Sequence, residues 1–121
     1  MENQNNVTEK RPIHPDMKFD DFMKADIRMC RINSVEKIEN TDKLYKLVID
    51  TGVDTRVVVS AIADKVKPEE LLHSTMPFIL NLPPRKMKGV ESFGMIIMAE
   101  DSQGNYLPLR NNEAEVGSIV I

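Results

Sequence analysis

Three basic residues lie within four positions of one another: Arg85, Lys86 and Lys88. No acidic residue occurs between Glu70 and Glu91, so the positive charge of this segment has no local compensation. Cationic side chains grouped in this way bind phosphodiester backbones, because they release condensed counterions from the nucleic acid. The same composition also occurs in ordinary solvated loops. The cluster therefore leaves two alternatives open, a phosphate-binding segment and an exposed loop without a ligand.

The neighbouring side chains supply the other groups that a nucleic-acid site uses. Asn81 and Ser92 carry an amide and a hydroxyl, which can orient sugar and phosphate groups. Phe93 offers a ring for base stacking, and Met87 and Met95 offer apolar surface. In the alternative interpretation the Met and Phe side chains face the core. Because aromatic residues make up only 5% of the chain, we expect recognition by shape and backbone rather than by a row of stacked aromatics.

Residue types that commonly perform catalysis give little support for an enzyme. His14 and His73 have no Cys or carboxylate at metal-ligand spacing, and the sequence contains no P-loop and no G-x-G-x-x-G motif. Cys30 lies in an apolar strand pattern, which is typical of a buried thiol. The sequence therefore predicts a non-catalytic protein without a metal ion or a cofactor.

Composition limits the class of protein. The chain has 121 residues, of which 41% are hydrophobic, enough for one packed core. Its 16 basic and 19 acidic residues give a net charge of −3, which excludes a histone-like protein that binds nucleic acid by bulk charge. One cysteine excludes an intrachain disulfide framework. The sequence has no apolar run long enough to span a membrane and no segment that resembles a signal peptide, so we expect neither a membrane partner nor export. We expect a cytoplasmic protein.

The N-terminal part of the chain predicts a tail followed by a short helix. Residues 1–16 are polar, so we expect a mobile tail, with a single domain over residues 17–121. Phe19, Phe22 and Met23 fall at helical spacing. They predict a short helix within residues 17–25, which could pack against a second copy of the chain.

Strand-like patterns account for most of the remaining chain. They cover residues 26–38, 43–50, 56–62, 76–82 and 95–99, with a short helix at 67–73 and a long structured loop at 83–94. The first strand is long, and its alternation slips between Met29 and Ile32, which predicts a bulge there. A long, bent first strand and a helix between the third and fourth strands favour an all-β fold with short helices, a five-stranded OB-fold barrel.

The basic loop resembles a known signature. The segment N-L-P-P-R-K-M-K-G-V-E-S-F-G-M, residues 81–95, is similar to the signature loop of the tRNA-binding OB-fold domain family. That domain occurs in methionyl-tRNA synthetases, in their beta subunits, in free-standing tRNA-binding proteins and in EMAP-II-like modules. The resemblance extends over about residues 19–100, including D-F-M-K-A-D-I-R-M, T-D-K-L-Y-K-L, R-V-V-V-S-A-I-A and K-P-E-E-L.

The resemblance implies a ligand, an assembly and a set of site residues. Members bind tRNA largely by shape and are usually homodimers. The positions that match the family's RNA-contacting or loop residues are Lys43, Asn81, Arg85, Lys86, Lys88, Ser92 and Met95. Ser60 lies in a strand that is similar to the family's V-S-G-I strand, and we expect it to line the same face. Phe93 stands where the family commonly has Glu or Gln, which leaves two alternatives open: a gained stacking contact, which we favour, and a shielded hydrophobic side chain.

Two functions follow as hypotheses. The leading one is a non-catalytic, largely sequence-independent tRNA-binding module that acts as a dimer. It would be either a methionyl-tRNA synthetase beta subunit, with the synthetase as partner, or a free-standing tRNA-binding protein. The alternative is a chaperone-like or export-related peptide-binding OB protein, since a branch of the family has been assigned such roles.

Overall fold

The computed structural model describes residues 11–121. Most of the predicted mobile tail, residues 1–10, lies outside the described residues. Residues 11–16 have no regular secondary structure and are exposed, and Arg11 Nη2 lies 2.8 Å from Glu100 Oε1. The boundary between tail and domain stays a prediction. Over the described residues, no helix is both long enough and apolar enough to cross a membrane.

Five strands form one curled antiparallel sheet. The elements are α1 Phe19–Phe22, β1 Ile27–Lys37, β2 Tyr45–Asp50, β3 Thr55–Ser60, a single 3-10 turn Pro68–Glu70, β4 Thr75–Ile79, β5 Arg85–Met87, β6 Val90–Ser92, β7 Met95–Ile96, β8 Met98–Glu100 and β9 Tyr106–Pro108. The strand order in the five-stranded sheet is β3-β2-β1-β4-β7. Strands β5 and β6 form a separate pair, as do β8 and β9. The predicted all-β, OB-like fold with short helices is confirmed.

A long, bent β1 gives the sheet its curl, because it pairs with both β2 and β4. The register shift lies between Ile32 and Ser34, so the predicted position between Met29 and Ile32 is wrong. Cys30 and Ile32 are both fully buried, so alternate side chains of β1 face the core as far as Ile32, and this alternation is interrupted only at Asn33. The prediction erred because it took Met29, rather than Cys30, as an inward-facing residue.

The core is a layer of apolar side chains under the curled sheet. Strand β2 alternates regularly, and its inward residues Tyr45, Leu47 and Ile49 are buried. Leu71, just after the 3-10 turn, is also fully buried and covers one end of the half-barrel. The predicted helix at 67–73 is reduced to this turn, which begins at Pro68 and is followed by His73 at a φ of 66°.

The predicted loop at 83–94 is a β-hairpin, formed by β5 and β6. Its two connecting residues, Lys88 and Gly89, have φ values of 51° and 82°. Two successive positive φ values are typical of the type I′ turn, whose twist matches that of paired strands. We call residues 85–92 the basic hairpin. The predicted last strand, 95–99, is also divided, because Ile97 separates β7 from β8.

The C-terminal segment crosses the turn between β2 and β3 at very short range. Gly117 N donates to Met29 O at 2.7 Å, which holds the segment against β1. Gly52, in that turn, has a φ of 93°, and a Cβ atom there would lie 2.7 Å from Gly117 Cα. Glycine is therefore required at position 52 for both backbone conformation and space.

Candidate nucleic-acid interface

The basic hairpin presents two different faces. Arg85 pairs with Ser92, and Met87 pairs with Val90, so these four side chains share one face. Lys86 lies opposite Glu91 on the other face, where the acidic group offsets its charge. The three basic residues that the sequence groups together are thus separated, with Lys88 at the exposed tip.

A groove of about 290 Å³ separates the inner face of the hairpin from β3. It brings together five of the predicted site residues: Ser60, Arg85, Met87, Ser92 and Met95. Arg85 and Met95 are exposed, whereas Ser92 is buried at the base. The groove thus combines a guanidinium, two hydroxyls and two thioether side chains, a mixture that suits a sugar–phosphate backbone.

Two predicted contact residues are engaged within the protein. The Ser92 hydroxyl accepts a hydrogen bond from Val59 N at 2.9 Å and donates to Gly94 O at 3.2 Å, and the residue is 5% exposed. The Asn81 amide accepts from Asp26 N at 2.8 Å and donates to Lys24 O at 2.6 Å. These bonds make both side chains supports of the hairpin and of the N-terminal segment. A direct contact of either residue with RNA stays a prediction.

The remaining predicted residues lie around the groove. Lys43 is exposed, and its carbonyl accepts from Ala63 N at 2.8 Å, which places it near the Ser60 end of the groove. Phe93 is 38% exposed and lines a second cavity of about 530 Å³ with Leu80 and Pro84. Phe93 and Ser92 face opposite ways because successive residues of an extended chain alternate.

Neither nucleophilic nor metal chemistry is supported by the described part of the chain. Within residues 11–121, no three His, Cys, Asp or Glu side chains are grouped closely enough to hold a metal ion. Cys30 is fully buried, and burial raises the pKa of its thiol to about 12. The thiol is therefore protonated at neutral pH and is not an activated nucleophile.

Arg56 is a residue that the sequence interpretation missed. Its Nη1 donates to Leu80 O at 2.8 Å and to Phe93 O at 3.1 Å, and its Nε donates to Asp54 Oδ1 at 3.1 Å. A hydrogen bond from Thr51, and then one from Arg56, lower the pKa of Asp54. The sequence signal is weak: an Arg two residues after an Asp, at the start of a strand otherwise rich in valine.

The fold and the site together define a class of protein. The curled five-stranded sheet is that of an OB-like domain, and the groove between the basic hairpin and β3 is a candidate surface for a nucleic-acid backbone. Residues 27–118 match the family model described as "Putative tRNA binding domain". The chain belongs to this family, which confirms the resemblance found in its sequence.

Similar proteins agree with this assignment. A methionine–tRNA ligase from Bacteroides fragilis is 44% identical over 111 residues, covering 91% of this chain and 16% of the ligase. A methionine–tRNA ligase from Porphyromonas gingivalis is 46% identical over 103 residues, covering 85% of this chain and 15% of the ligase. The chain therefore spans less than a fifth of the length of these two ligases.

Solved structures share the same architecture. A methionyl-tRNA-synthetase-related (MetRS-related) protein from Pyrococcus horikoshii superposes with a TM-score of 0.86 at 38% identity, covering 89% of this chain and all of that protein. The chaperone CsaA from Bacillus anthracis superposes with a TM-score of 0.77 at 22% identity. At that identity, the chaperone shows a common fold and nothing further.

Proposed function

We propose that this chain is a non-catalytic module that binds tRNA in the groove between the basic hairpin and β3. The observation that carries the proposal is the position of Arg85, whose exposed guanidinium lines the same groove as Ser60 and Met95. A guanidinium binds a phosphate with two parallel hydrogen bonds, and the neighbouring hydroxyl and thioether contact the sugar. Such contacts depend on the shape of the RNA backbone and give little specificity for the base sequence.

The biological role that fits this binding is delivery of tRNA to an enzyme. A tethered tRNA module raises the local concentration of its ligand, so that the second contact becomes intramolecular. The similarity to methionine–tRNA ligases supports methionyl-tRNA synthetase as that enzyme, either as the rest of the same protein or as a cytoplasmic partner.

We expect the purified chain to bind total tRNA more tightly than duplex DNA or single-stranded RNA. With about four to six phosphate contacts, the logarithm of affinity should fall with the logarithm of salt concentration, with a slope of roughly −3 to −5. Mobility shifts at several salt concentrations measure both quantities. Equal affinity for tRNA, duplex DNA and heparin would contradict the proposal, because bulk polyanion binding needs no shaped groove.

The same assay separates the peptide-binding alternative. An unfolded polypeptide added to the complex should leave tRNA bound, since the proposed contacts are made to phosphates. If the polypeptide bound and excess tRNA failed to displace it, a chaperone-like function would be favoured instead.

We also propose that two copies of the chain associate through the apolar patch formed by α1 and the C-terminal residues. Phe19 is 72% exposed, Met23 54% and Ile119 67%. Met23 and Ile119 line a groove of about 330 Å³, and Phe19 begins the adjoining helix α1. Apolar side chains gathered at one end of a small domain are typical of an interface. A homodimer would cover them and would present two basic hairpins to one folded RNA.

Replacing Phe19 and Met23 together by Ser should convert the dimer to a monomer at micromolar concentration. The matched control is Leu107→Ser, which alters an exposed apolar side chain (49%) on β9, outside the patch. Sedimentation equilibrium measures the mass of each variant. A monomeric unmodified chain, or a dimer that survives the double substitution, would refute this interface.

A further inference from the structure

The backbone hydrogen bonds that attach the basic hairpin to the rest of the protein lie at its base, from Leu80 N to Asp26 O and from Phe93 N to Val57 O. Among the strands of residues 11–121, β5 and β6 pair with each other and with no other strand. Within residues 11–121, no backbone hydrogen bond outside the hairpin itself involves residues 82–91. Strand β6 also packs beside β3. The residues at the two ends of the hairpin, Leu80–Asn81 and Ser92–Phe93, are the points at which its backbone is fixed, so they are placed to set the direction in which it projects.

One guanidinium joins these two ends. Arg56 Nη1 donates one hydrogen bond to Leu80 O, before the hairpin, and another to Phe93 O, after it, at 2.8 and 3.1 Å. These two carbonyls lie 13 positions apart in the sequence, yet they share one nitrogen atom. Because both N–H groups of that atom are used, a change in the separation of the two chain ends breaks at least one bond.

The guanidinium is itself fixed in orientation. Its Nε lies 3.1 Å from both carboxylate oxygens of Asp54, and Thr51 Oγ1 donates to Asp54 Oδ1 at 2.7 Å. Asp54 and Thr51 belong to the turn between β2 and β3, which the C-terminal segment crosses. The side chains of Thr51, Asp54 and Arg56 thus connect the sheet to the hairpin. The last link is the planar guanidinium of Arg56, whose side chain is 28% exposed.

We propose that Arg56 is a positioning residue, which clamps both ends of the basic hairpin and thereby holds Arg85 over the groove for RNA binding. The inference deepens the proposed function and rests on it for its RNA-binding part. Arg56 contributes through the geometry of its fork rather than through its charge. Lysine keeps the charge, but its single nitrogen atom lacks the rigid fork in which Nε binds Asp54 while Nη1 binds both carbonyls, so its ammonium is not held in place over the two chain ends.

The first test uses Arg56→Lys in the absence of RNA. Arg85 and Lys86 lie in the paired part of β5, so trypsin cleavage after them requires the hairpin to open, and the cleavage rate reports the open population. We expect about a tenfold faster cleavage at these two sites, which corresponds to the loss of one charge-assisted hydrogen bond. Mass spectrometry assigns the sites, and amide exchange at Leu47 in the core should stay unchanged, since the opening is local.

The control is Arg110→Lys, an exposed arginine at the far end of the sheet. Arg110 precedes Asn111, whose N–H donates to Thr75 O at the opposite end of β4 from Leu80. We expect no change in hairpin cleavage for this variant. Should Arg56→Lys fail to fold, Asp54→Asn keeps the arginine and removes the carboxylate that orients it. That variant should give a smaller acceleration at the same sites.

The second test measures tRNA affinity in a double-variant cycle. Arg56→Lys should weaken binding by about tenfold, and Arg56→Lys combined with Arg85→Gln should bind no worse, within about twofold, than Arg85→Gln alone. A residue that contacts phosphate directly would give additive losses, and its replacement by Lys would cost little. Unchanged cleavage for Arg56→Lys, or additive losses, would overturn the inference.

The two proposals can fail separately. If the unmodified chain shows no preference for tRNA while Arg56→Lys still accelerates cleavage at the hairpin, the proposed function fails and the clamp stands. If the unmodified chain binds tRNA and Arg56→Lys changes neither cleavage nor affinity, the function stands and the clamp fails.

Discussion

Arg85→Gln is expected to weaken tRNA binding by about 10- to 30-fold, which corresponds to about 1.4–2 kcal/mol for a charge-assisted contact to phosphate. The guanidinium lies on the inner face of the basic hairpin and lines the groove. Its removal should also flatten the salt dependence by about 0.7–0.9 of a unit, since one phosphate contact is lost. Mobility shifts or fluorescence titration with tRNA at several salt concentrations measure both effects.

Lys86→Gln is the matched control for this prediction. It removes the same charge at the adjacent position of the same strand, but from the outer face and from opposite Glu91. We expect a loss of about twofold, because only the long-range field of the protein changes. A loss for Lys86→Gln equal to or larger than that for Arg85→Gln would place the RNA on the outer face of the hairpin.

Gly52→Ala is expected to lower the free energy of unfolding by about 2–5 kcal/mol. A side chain at a φ of 93° costs about 1–2 kcal/mol of backbone strain. The added Cβ would also lie 2.7 Å from Gly117 Cα, so the C-terminal segment must move, at a further cost of about 1–3 kcal/mol. Urea denaturation followed by circular dichroism gives the change in unfolding free energy.

Gly89→Ala separates strain from crowding. Gly89 has a similar φ of 82°, but a Cβ there would meet no heavy atom within 4 Å. Its replacement should therefore cost about 1–2 kcal/mol at most, the strain contribution alone. If the two variants were equally destabilised, the close crossing of residues 52 and 117 would have no energetic role.

Much of the sheet could be predicted from the sequence because its signals are local. The alternation of Tyr45, Leu47 and Ile49 identifies β2 without any knowledge of its partners. Gly52 likewise marks the turn before β3, since few other residues accept its backbone conformation. These patterns extend over six or more residues, enough for periodicity to be recognised.

The basic hairpin could not be predicted in the same way. Each of its strands has three residues, and two prolines precede them, so the segment has the composition of a loop. Its turn also uses Lys88 at a positive φ, a conformation that a sequence does not reveal for a lysine. Such short strands form because both ends are fixed elsewhere.

The engaged site residues show the same limit. The partner of Ser92 is Val59, 33 positions earlier, and that of Asn81 is Asp26, 55 positions earlier. Arg56 likewise meets Phe93 37 positions later. Spacing along the chain identifies residues that can bind RNA. It does not distinguish those that contact a ligand from those that hold the contacting residues in place.

The free tip of the hairpin makes its length an adjustable property of the domain. Lys88 and Gly89 contact no other part of the sheet through backbone hydrogen bonds within the described chain, and the base is held independently. One additional residue pair in the two strands would lengthen the arm by about 3.4 Å and leave the anchoring untouched. An insertion at this point would therefore change how far the arm extends from the domain without altering the five-stranded sheet.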